Sequence, residues 1–444
     1  MVQKQESAVG DKVKIITAKE ETEGILLESS DSSIVLIKIK SGYNVGIKKE
    51  EIMNIELIEK NKEKEDKFET SKSKDFDGDQ KSKKNKKISD IKEKKNLPYI
   101  DIIITGGTIS SKIDYKTGGV SWITKPEELF RFYPELFGVV NVKEIKVPFM
   151  KSSEDMGYED WQTIASEVEK SLNDRDIKGV IITHGTDFLH YTSAALSFFL
   201  RNLNKPVVLT YAQRSSDRAS SDAEMNLLCS AHAAISDIAE VMLVGHSSEN
   251  DDFCYAHIGT KVRKLHSSRR DAFKSVNSKP LARIFPDGKI EIMSDYNKRD
   301  DSKRTKLDSS FDNNVFLLKY FPGQSKEIID YIGQKYKGLI IEGGGLGHVA
   351  VDSKESWINE LKKAIANGLV VCMTSQTIYG KVDEYVYSPA RELEKIGVIY
   401  LRDMLAETAL VKLGYVLGKT KNYEKIKEMM LTNIAREFND RLEE

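Results

Sequence analysis

The sequence predicts an α/β protein in which a parallel sheet is flanked by helices and preceded by a small β domain, and three observations support this class. From residue 97 onward, short apolar runs alternate with segments of helical spacing. These runs, such as YIDIII and KGVIIT, are almost continuously apolar, as expected of strands that are buried on both faces. The chain before residue 60 instead has short Val- and Ile-rich runs separated by turn residues, which indicates a small separate β domain.

Residues 1–60 and 61–96 differ sharply in composition. The first segment has several short strands at close spacing, which predicts a small β-barrel of the SH3 type. The second consists mostly of Lys, Glu, Asp and Ser and has too little apolar surface to offset the entropy of ordering, so it is predicted to be a charged flexible linker. Two interpretations of the linker stay open: a solvated spacer, which the composition favours, and a basic RNA-binding arm.

Two α/β units follow, residues 97–305 and 306–444, and a polar, Asp-rich stretch from about 275 to 312 is predicted to connect them. The 444 residues are enough for this number of domains. The formal net charge of −1 gives no overall attraction to nucleic acid or to anionic membranes. The sequence has no apolar run of membrane-spanning length, and its first residues have no apolar stretch long enough for a signal peptide, so neither feature is expected. Its three widely spaced cysteines suit a reducing cytoplasm.

Hydroxyl and carboxylate side chains follow two of the predicted strands. Thr108 comes after Gly106-Gly107 at the end of YIDIII, and Thr186 with Asp187 follows KGVIIT. In open α/β sheets, ligands bind beyond the carboxyl ends of the strands. Each motif alone is also typical of a structural turn or, for Asp187, of a helix N-cap. The combination of two threonines and a carboxylate favours a functional site.

The basic run that ends at Lys264 adds a candidate base. A threonine hydroxyl is a weak nucleophile and needs a base beside it. A lysine among desolvating neighbours can serve as that base, so Thr186, Asp187 and Lys264 are predicted to form a proton relay. The alternative for a basic run is a solvated face.

Five ordered motifs give a specific resemblance: TGGTIS, SSEDM, THGTD, AQRSSDRASSDA and a lysine before AF. Their order resembles that in bacterial-type asparaginases and related glutaminases. The stretches DYKTGGV, RKLHSSRRDAF and SQTIYGKV, together with the N-terminal barrel, resemble one branch more closely, the D subunit of the archaeal glutamyl-tRNA(Gln) amidotransferase. The resemblance covers the chain except the linker, and it implies an asparaginase-like body of two α/β domains with parallel or mixed sheets and flanking helices.

The resemblance also implies roles for individual residues. Thr108 matches the nucleophile that attacks the glutamine side-chain amide and forms an acyl-enzyme. Thr186, Asp187 and Lys264 match the set that activates a hydroxyl or water.

Three further residues match substrate-binding positions. Ser153 and Glu154 in SSEDM correspond to the groups that hold the α-carboxylate and α-ammonium of the substrate. Tyr115, in KIDYKTGG, corresponds to the tyrosine of the segment that closes over the substrate.

The implied function is that of a glutaminase subunit. It would supply ammonia to a partner, the amidotransferase E subunit, which converts misacylated Glu-tRNA(Gln) to Gln-tRNA(Gln), and a two-fold pair of these chains would form the core of a heterotetramer. ATP and Mg would be used by the complex through the partner, and this chain is expected to bind no cofactor. The histidines lack metal-ligand spacing and there is no Walker A sequence, so no metal site is predicted. The alternatives are a free-standing cytoplasmic asparaginase or glutaminase, and a non-catalytic RNA- or protein-binding module.

Overall fold

The computed structural model describes residues 7–27, 29, 33–39, 44–60, 96–113, 120–122, 133, 135–215 and 220–442. Residues 61–95 of the predicted linker and Tyr115 lie outside the described residues. No helix in these described ranges has the length and apolarity that crossing a bilayer requires.

The N-terminal segment forms a five-stranded antiparallel sheet, which confirms the predicted β domain. Alternating apolar residues bury Val13, Ile15, Ile37 and Ile47 in a core of its own. The strands are β1 (Lys12–Thr17), β2 (Glu21–Leu27), β3 (Ile34–Ile39), β4 (Asn44–Lys48) and β5 (Ile52–Glu59).

The next unit is built on an eight-stranded sheet with the order β18-β17-β14-β13-β12-β10-β6-β9. Strands β9, β6, β10, β12 and β13 run parallel to one another. The remaining neighbouring pairs, β13–β14, β14–β17 and β17–β18, are antiparallel. The strands of this unit are β6 (Tyr99–Ile104), β7 (Ser111–Ile113), β8 (Val120–Trp122), β9 (Asn141–Lys146), β10 (Ile177–Thr183), β11 (Leu200–Arg201), β12 (Val207–Thr210), β13 (Val241–His246), β14 (Cys254–Ile258), β15 (Val262–Lys264), β16 (Phe273–Ser275), β17 (Ala282–Ile284), β18 (Ile290–Ile292) and β19 (Lys306–Leu307).

Helices cover both faces of this sheet, as the apolar character of its strands requires. In the helix Tyr158–Leu172, the apolar residues Ile164, Val168 and Leu172 recur at helical spacing and are buried. The helices are α1 (Leu136–Val139), α2 (Tyr158–Leu172), α3 (Leu189–Phe199) and α4 (Ala223–Ala234).

The prediction that residues from about 275 to 312 connect the two domains is partly wrong. Strands β17 and β18 lie within this stretch and extend the large sheet. Ala282 and Ile284 are buried, whereas Arg283 between them pairs with Glu291 across the hairpin at 3.5 Å. A strand near the edge of a sheet needs few apolar residues, so its polar composition resembles that of a loop.

The C-terminal unit contains a four-stranded parallel sheet with the order β20-β21-β22-β23. Helix α8 packs against α3 of the preceding unit, with the rings of Tyr415 and Phe198 at 5.9 Å, so the two units share one core. Its elements are β20 (Val315–Lys319), α5 (Glu327–Lys335), β21 (Gly338–Gly343), α6 (Ile358–Ala366), β22 (Val370–Ser375), α7 (Ser388–Lys395), β23 (Ile399–Tyr400), α8 (Ala406–Leu417) and α9 (Tyr423–Leu431).

Candidate active site

The loops that follow β6 and β10 are in direct contact at the carboxyl end of the sheet. The Thr105 backbone N–H and its hydroxyl both donate to the Thr183 carbonyl, at 3.1 and 2.9 Å. Gly107 has φ +86, and a Cβ at this position would lie 2.4 Å from the Gly185 nitrogen. A side chain would therefore separate the two loops, and glycine is required for this approach. Thr108 follows at once, half-buried at the start of a 3₁₀ turn.

A third loop, which contains Lys151 and Ser153, packs against the loops that follow β6 and β10. The Lys151 N–H donates to the Thr105 carbonyl at 2.9 Å, and a Cβ on Gly106 would lie 2.2 Å from the Lys151 carbonyl oxygen. Ser153 is buried against the Thr186 loop, because a Cβ on Gly185 would lie 3.1 Å from the Ser153 Cβ. Glu154 is the next residue and is exposed. The SSEDM motif thus lies beside both threonine loops.

Lys264 reaches this group from a distant part of the sequence. Its ammonium Nζ donates to the Thr186 Oγ1 at 2.8 Å and to the Asp187 Oδ1 at 2.7 Å. The Lys264 side chain is 9% exposed, whereas that of Asp187 is 63% exposed. The structure therefore brings three of the predicted residues together, with the amine shielded from water and the carboxylate open to it.

Two buried histidines next to the relay are neutral at physiological pH. Burial lowers the pKa of His184 to about 4, and its two ring nitrogens lie 2.7 Å from the Gly185 carbonyl and 2.9 Å from the Thr192 hydroxyl. Burial, helped by the charges of Arg263 and Lys264, lowers the pKa of His190 to about 3. Neither imidazole adds a positive charge next to the Lys264 ammonium.

Two features near the relay were not predicted from the sequence. His190 Nδ1 is buried and has no hydrogen-bond partner among the residues that the structure describes. Arg263, the neighbour of Lys264, forms an ion pair with Glu407 at 2.8 Å. Because Glu407 lies in the C-terminal unit, no local motif links it to the relay. A search for buried carboxylates at the starts of apolar helices would have selected it.

The metal-ligating residue types do not cluster in the described part of the chain. No group of three or more His, Cys, Asp or Glu residues there has the arrangement that could hold a metal ion. Cys229, Cys254 and Cys372 are buried free thiols.

Three protein-family models match this chain in sequence order. A GatD N-terminal domain matches residues 7–58, the N-terminal domain of asparaginase matches residues 99–298, and the glutaminase/asparaginase C-terminal domain matches residues 314–430. The first match covers the five-stranded sheet up to Ile58, and the second contains Thr108, Thr186 and Lys264.

Solved asparaginases share the fold of the body of this chain. The thermostable L-asparaginase from Thermococcus kodakarensis has a TM-score of 0.69 at 29% identity, and it covers 77% of this chain and 99% of its own. L-asparaginase I from Vibrio cholerae has a TM-score of 0.66 at 30% identity with the same coverage of both chains.

Curated relatives match nearly the whole chain. The glutamyl-tRNA(Gln) amidotransferase D subunit of Pyrococcus abyssi is 48% identical over 441 residues, which is 97% of this chain and 94% of that protein. The protein of the same name from Sulfolobus acidocaldarius is 42% identical over 436 residues, 97% of this chain and 92% of its own. With this similarity running through the N-terminal sheet and both α/β units, the chain belongs to the family of glutamyl-tRNA(Gln) amidotransferase D subunits.

Proposed function

We propose that this chain is the glutamine-hydrolysing subunit of a glutamyl-tRNA(Gln) amidotransferase. The near full-length similarity to proteins of that name supports the assignment. In this proposal a partner, the amidotransferase E subunit, uses ATP and Mg to activate the glutamyl group of misacylated Glu-tRNA(Gln), and it receives the ammonia that this chain releases. Two copies of each subunit form a cytoplasmic heterotetramer around a homodimer of this chain.

The contact of Lys264 with Thr186 and Asp187, beside the Thr108 loop, is the observation that carries the chemistry. Thr108 attacks the side-chain carbonyl carbon of glutamine through its hydroxyl oxygen and transfers its proton towards the leaving nitrogen. The carbon–nitrogen bond breaks, ammonia leaves, and a glutamyl ester of Thr108 remains.

Hydrolysis of the ester uses the second group. Lys264 is the base that accepts a proton through the Thr186 hydroxyl, and a water molecule attacks the ester carbon. Glutamate leaves as the ester bond breaks, and the Thr108 hydroxyl recovers its proton. Asp187 orients the lysine and stabilises its charge once the lysine has accepted the proton. Backbone N–H groups of the two glycine-containing loops are the natural donors to the oxyanion.

Free glutamine is a zwitterion, so its site needs donors and acceptors at a fixed distance from the amide. We assign Ser153 and Glu154 to the α-carboxylate and α-ammonium, and Tyr115 to closure over the bound substrate. The open Asp187 carboxylate is available to share the ammonium, because most of its side chain is exposed.

A free-standing asparaginase or glutaminase is the second candidate, favoured by the similarity of the body to solved L-asparaginases. Against it stands the N-terminal sheet: those asparaginases cover 77% of this chain, and residues 7–58 match the GatD N-terminal domain. A purely non-catalytic binding module does not account for the hydrogen-bonded group of Thr186, Asp187 and Lys264.

The test is ammonia release from glutamine and from asparagine, measured for the chain alone and for its complex with the partner and Glu-tRNA(Gln). We expect glutamine to be preferred and the rate to rise in the complex, with Gln-tRNA(Gln) as the second product. High asparagine turnover by the chain alone would support the free-standing enzyme. Hydrolysis of neither amide in any condition would refute both.

A further inference from the structure

The strand that carries Lys264 is attached to the C-terminal unit. Lys261, just before β15, forms a buried ion pair with Asp403 at 2.5 Å. Arg263, within β15, pairs with the mostly buried Glu407 at 2.8 Å. Both carboxylates lie at or just before the start of helix α8. The residues that flank Val262 are therefore held by a different unit from the one that carries Thr186.

A hydrogen bond to the backbone completes this attachment. The Thr408 hydroxyl donates to the Thr260 carbonyl at 2.8 Å, and this bond is buried. Lys261 also donates to the backbone carbonyl of Asp403 at 3.3 Å. One short stretch at the start of α8 thus contacts side chain and backbone of the segment that leads to Lys264.

The alternation of side chains along an extended strand explains the geometry. Adjacent residues of a strand point to opposite sides, so Arg263, which faces Glu407, and Lys264 lie on different sides of β15. Lys261, in the turn just before the strand, also faces the C-terminal unit through Asp403. Lys264 points to the other side and reaches Thr186 and Asp187. The strand therefore separates its anchoring contacts from its contacts with the relay.

The local hairpin is too small to fix the lysine by itself. Strand β15 has three residues, and its pairing partner β16 also has three. A short two-stranded ribbon has little stability of its own and depends on tertiary contacts. The Thr186 loop, in contrast, follows the seven-residue strand β10 in the centre of the large sheet.

We propose that the Lys261–Asp403 and Arg263–Glu407 pairs are positioning pairs, through which the C-terminal unit sets the distance between the Lys264 amine and the Thr186 hydroxyl. The inference rests on the proposed hydrolysis of glutamine by this site. Displacement of a catalytic group by about 1 Å can lower a rate by about 100-fold. Loss of an anchoring contact should therefore act on catalysis and leave substrate binding in place.

The test uses Glu407→Gln, which is nearly isosteric, and Arg263→Met, each in the full chain bound to its partner with Glu-tRNA(Gln). We expect kcat for glutamine hydrolysis to fall by about 10- to 100-fold, with KM within about two-fold of the wild type. Arg263→Lys keeps a cation that can reach Glu407, so it should recover much of the loss. Thr408→Val removes the hydroxyl contact without leaving a buried charge, and a smaller fall of kcat is expected.

Lys337→Met is the matched control, because it removes an ion pair with Asp312 at 2.6 Å within the C-terminal unit. It should leave kcat unchanged. Thermal unfolding of every variant separates a loss of folded protein from a loss of rate. Wild-type kcat in Glu407→Gln and Arg263→Met, or a fall that matches the unfolded fraction, would overturn the inference. If the wild-type chain hydrolyses no glutamine, the proposed function fails instead.

Discussion

The two ends of the eight-stranded sheet are formed by the same strands but hold different groups. At the carboxyl ends, the loops after β6 and β10 contact each other and Lys264 lies within hydrogen-bond distance of Thr186. At the amino ends lies a cavity of about 580 Å³, lined by Arg201, Glu240 and Arg436 among others. One end therefore has a compact group of hydroxyl, amine and carboxylate, and the other has an open charged space.

The charges at the amino ends serve packing. Arg436 pairs with Glu240 at 3.2 Å, and the Arg201 guanidinium lies 3.4 Å from the Ile434 carbonyl, so these side chains hold the C-terminal segment. Loops beyond the carboxyl ends of parallel strands can present polar groups without breaking the sheet ladder. The size and charge of a cavity are thus a poorer guide to chemistry here than the end of the sheet on which it lies.

Thr108→Ala and Lys264→Ala are expected to change activity the most, and they test whether the chemistry lies at the carboxyl ends of the sheet. Each should lower kcat for glutamine hydrolysis by at least about 1,000-fold, because Thr108 forms the glutamyl ester and Lys264 is the base for its hydrolysis. The measurement is ammonia release by the complex, with thermal unfolding to show that the variants fold. Glu240→Gln, at the amino ends, should keep the wild-type kcat. Loss of activity in Glu240→Gln, or wild-type activity in both Thr108→Ala and Lys264→Ala, would show that the catalytic groups do not lie at the carboxyl ends alone.

Gly107→Ala should lower kcat by about 100-fold, because the added Cβ would lie 2.4 Å from the Gly185 nitrogen and force the threonine loops apart. The control is Gly288→Ala, whose φ of +92 is also unfavourable but whose Cβ would meet the His232 ring at 2.9 Å, away from the site. That variant should lose about 1 kcal/mol of stability with kcat unchanged. Equal losses of activity in both variants would mean that strain anywhere in the fold impairs catalysis.

The smallest effect concerns the pH dependence of stability. His184, at the carboxyl ends, has its pKa lowered by burial from 6.5 to about 4, so the folded chain excludes a proton that the unfolded chain binds. Its contribution is fully present above pH 6.5 and is lost as the pH falls towards 4, a change of about 3 kcal/mol. His184→Gln should therefore flatten the fall in unfolding free energy between about pH 7 and pH 4.

His232→Gln is the counterpart at the edge of the sheet. Burial also lowers the pKa of His232, but this side chain is only half-buried, so its variant should flatten the profile less. Denaturant unfolding at a series of pH values measures both. Identical profiles for the wild type and His184→Gln would show that another group controls acid stability.

The buried strands of the large sheet could be predicted because a short, continuous apolar run bounded by polar residues is typical of a strand that is covered on both faces. Strand β10 is buried along almost its whole length, and so are β12 and β13, and only strands covered on both faces have such continuous apolar runs. Strands β17 and β18 escaped prediction because they are short and lie at one end of the sheet, where few buried apolar residues suffice.

The features of the candidate site likewise differ in whether the sequence could predict them. Thr108 and Thr186 were predicted because each directly follows a recognisable strand, and parallel strands bring their carboxyl ends to one edge. The ion pair of Arg263 with Glu407 was not predicted, because its partners lie in different units and Glu407 belongs to no motif with a fixed spacing.

The order of the domains, the strands at the centre of the sheet and the residue types at their ends could be inferred from the sequence alone. Each of these features depends on residues that are neighbours along the chain. Which side chains from the two α/β units meet, such as Arg263 with Glu407 and Lys261 with Asp403, could be seen only in the tertiary structure. Those contacts depend on how the two α/β units pack on a shared core, and packing is a property of the assembled surfaces.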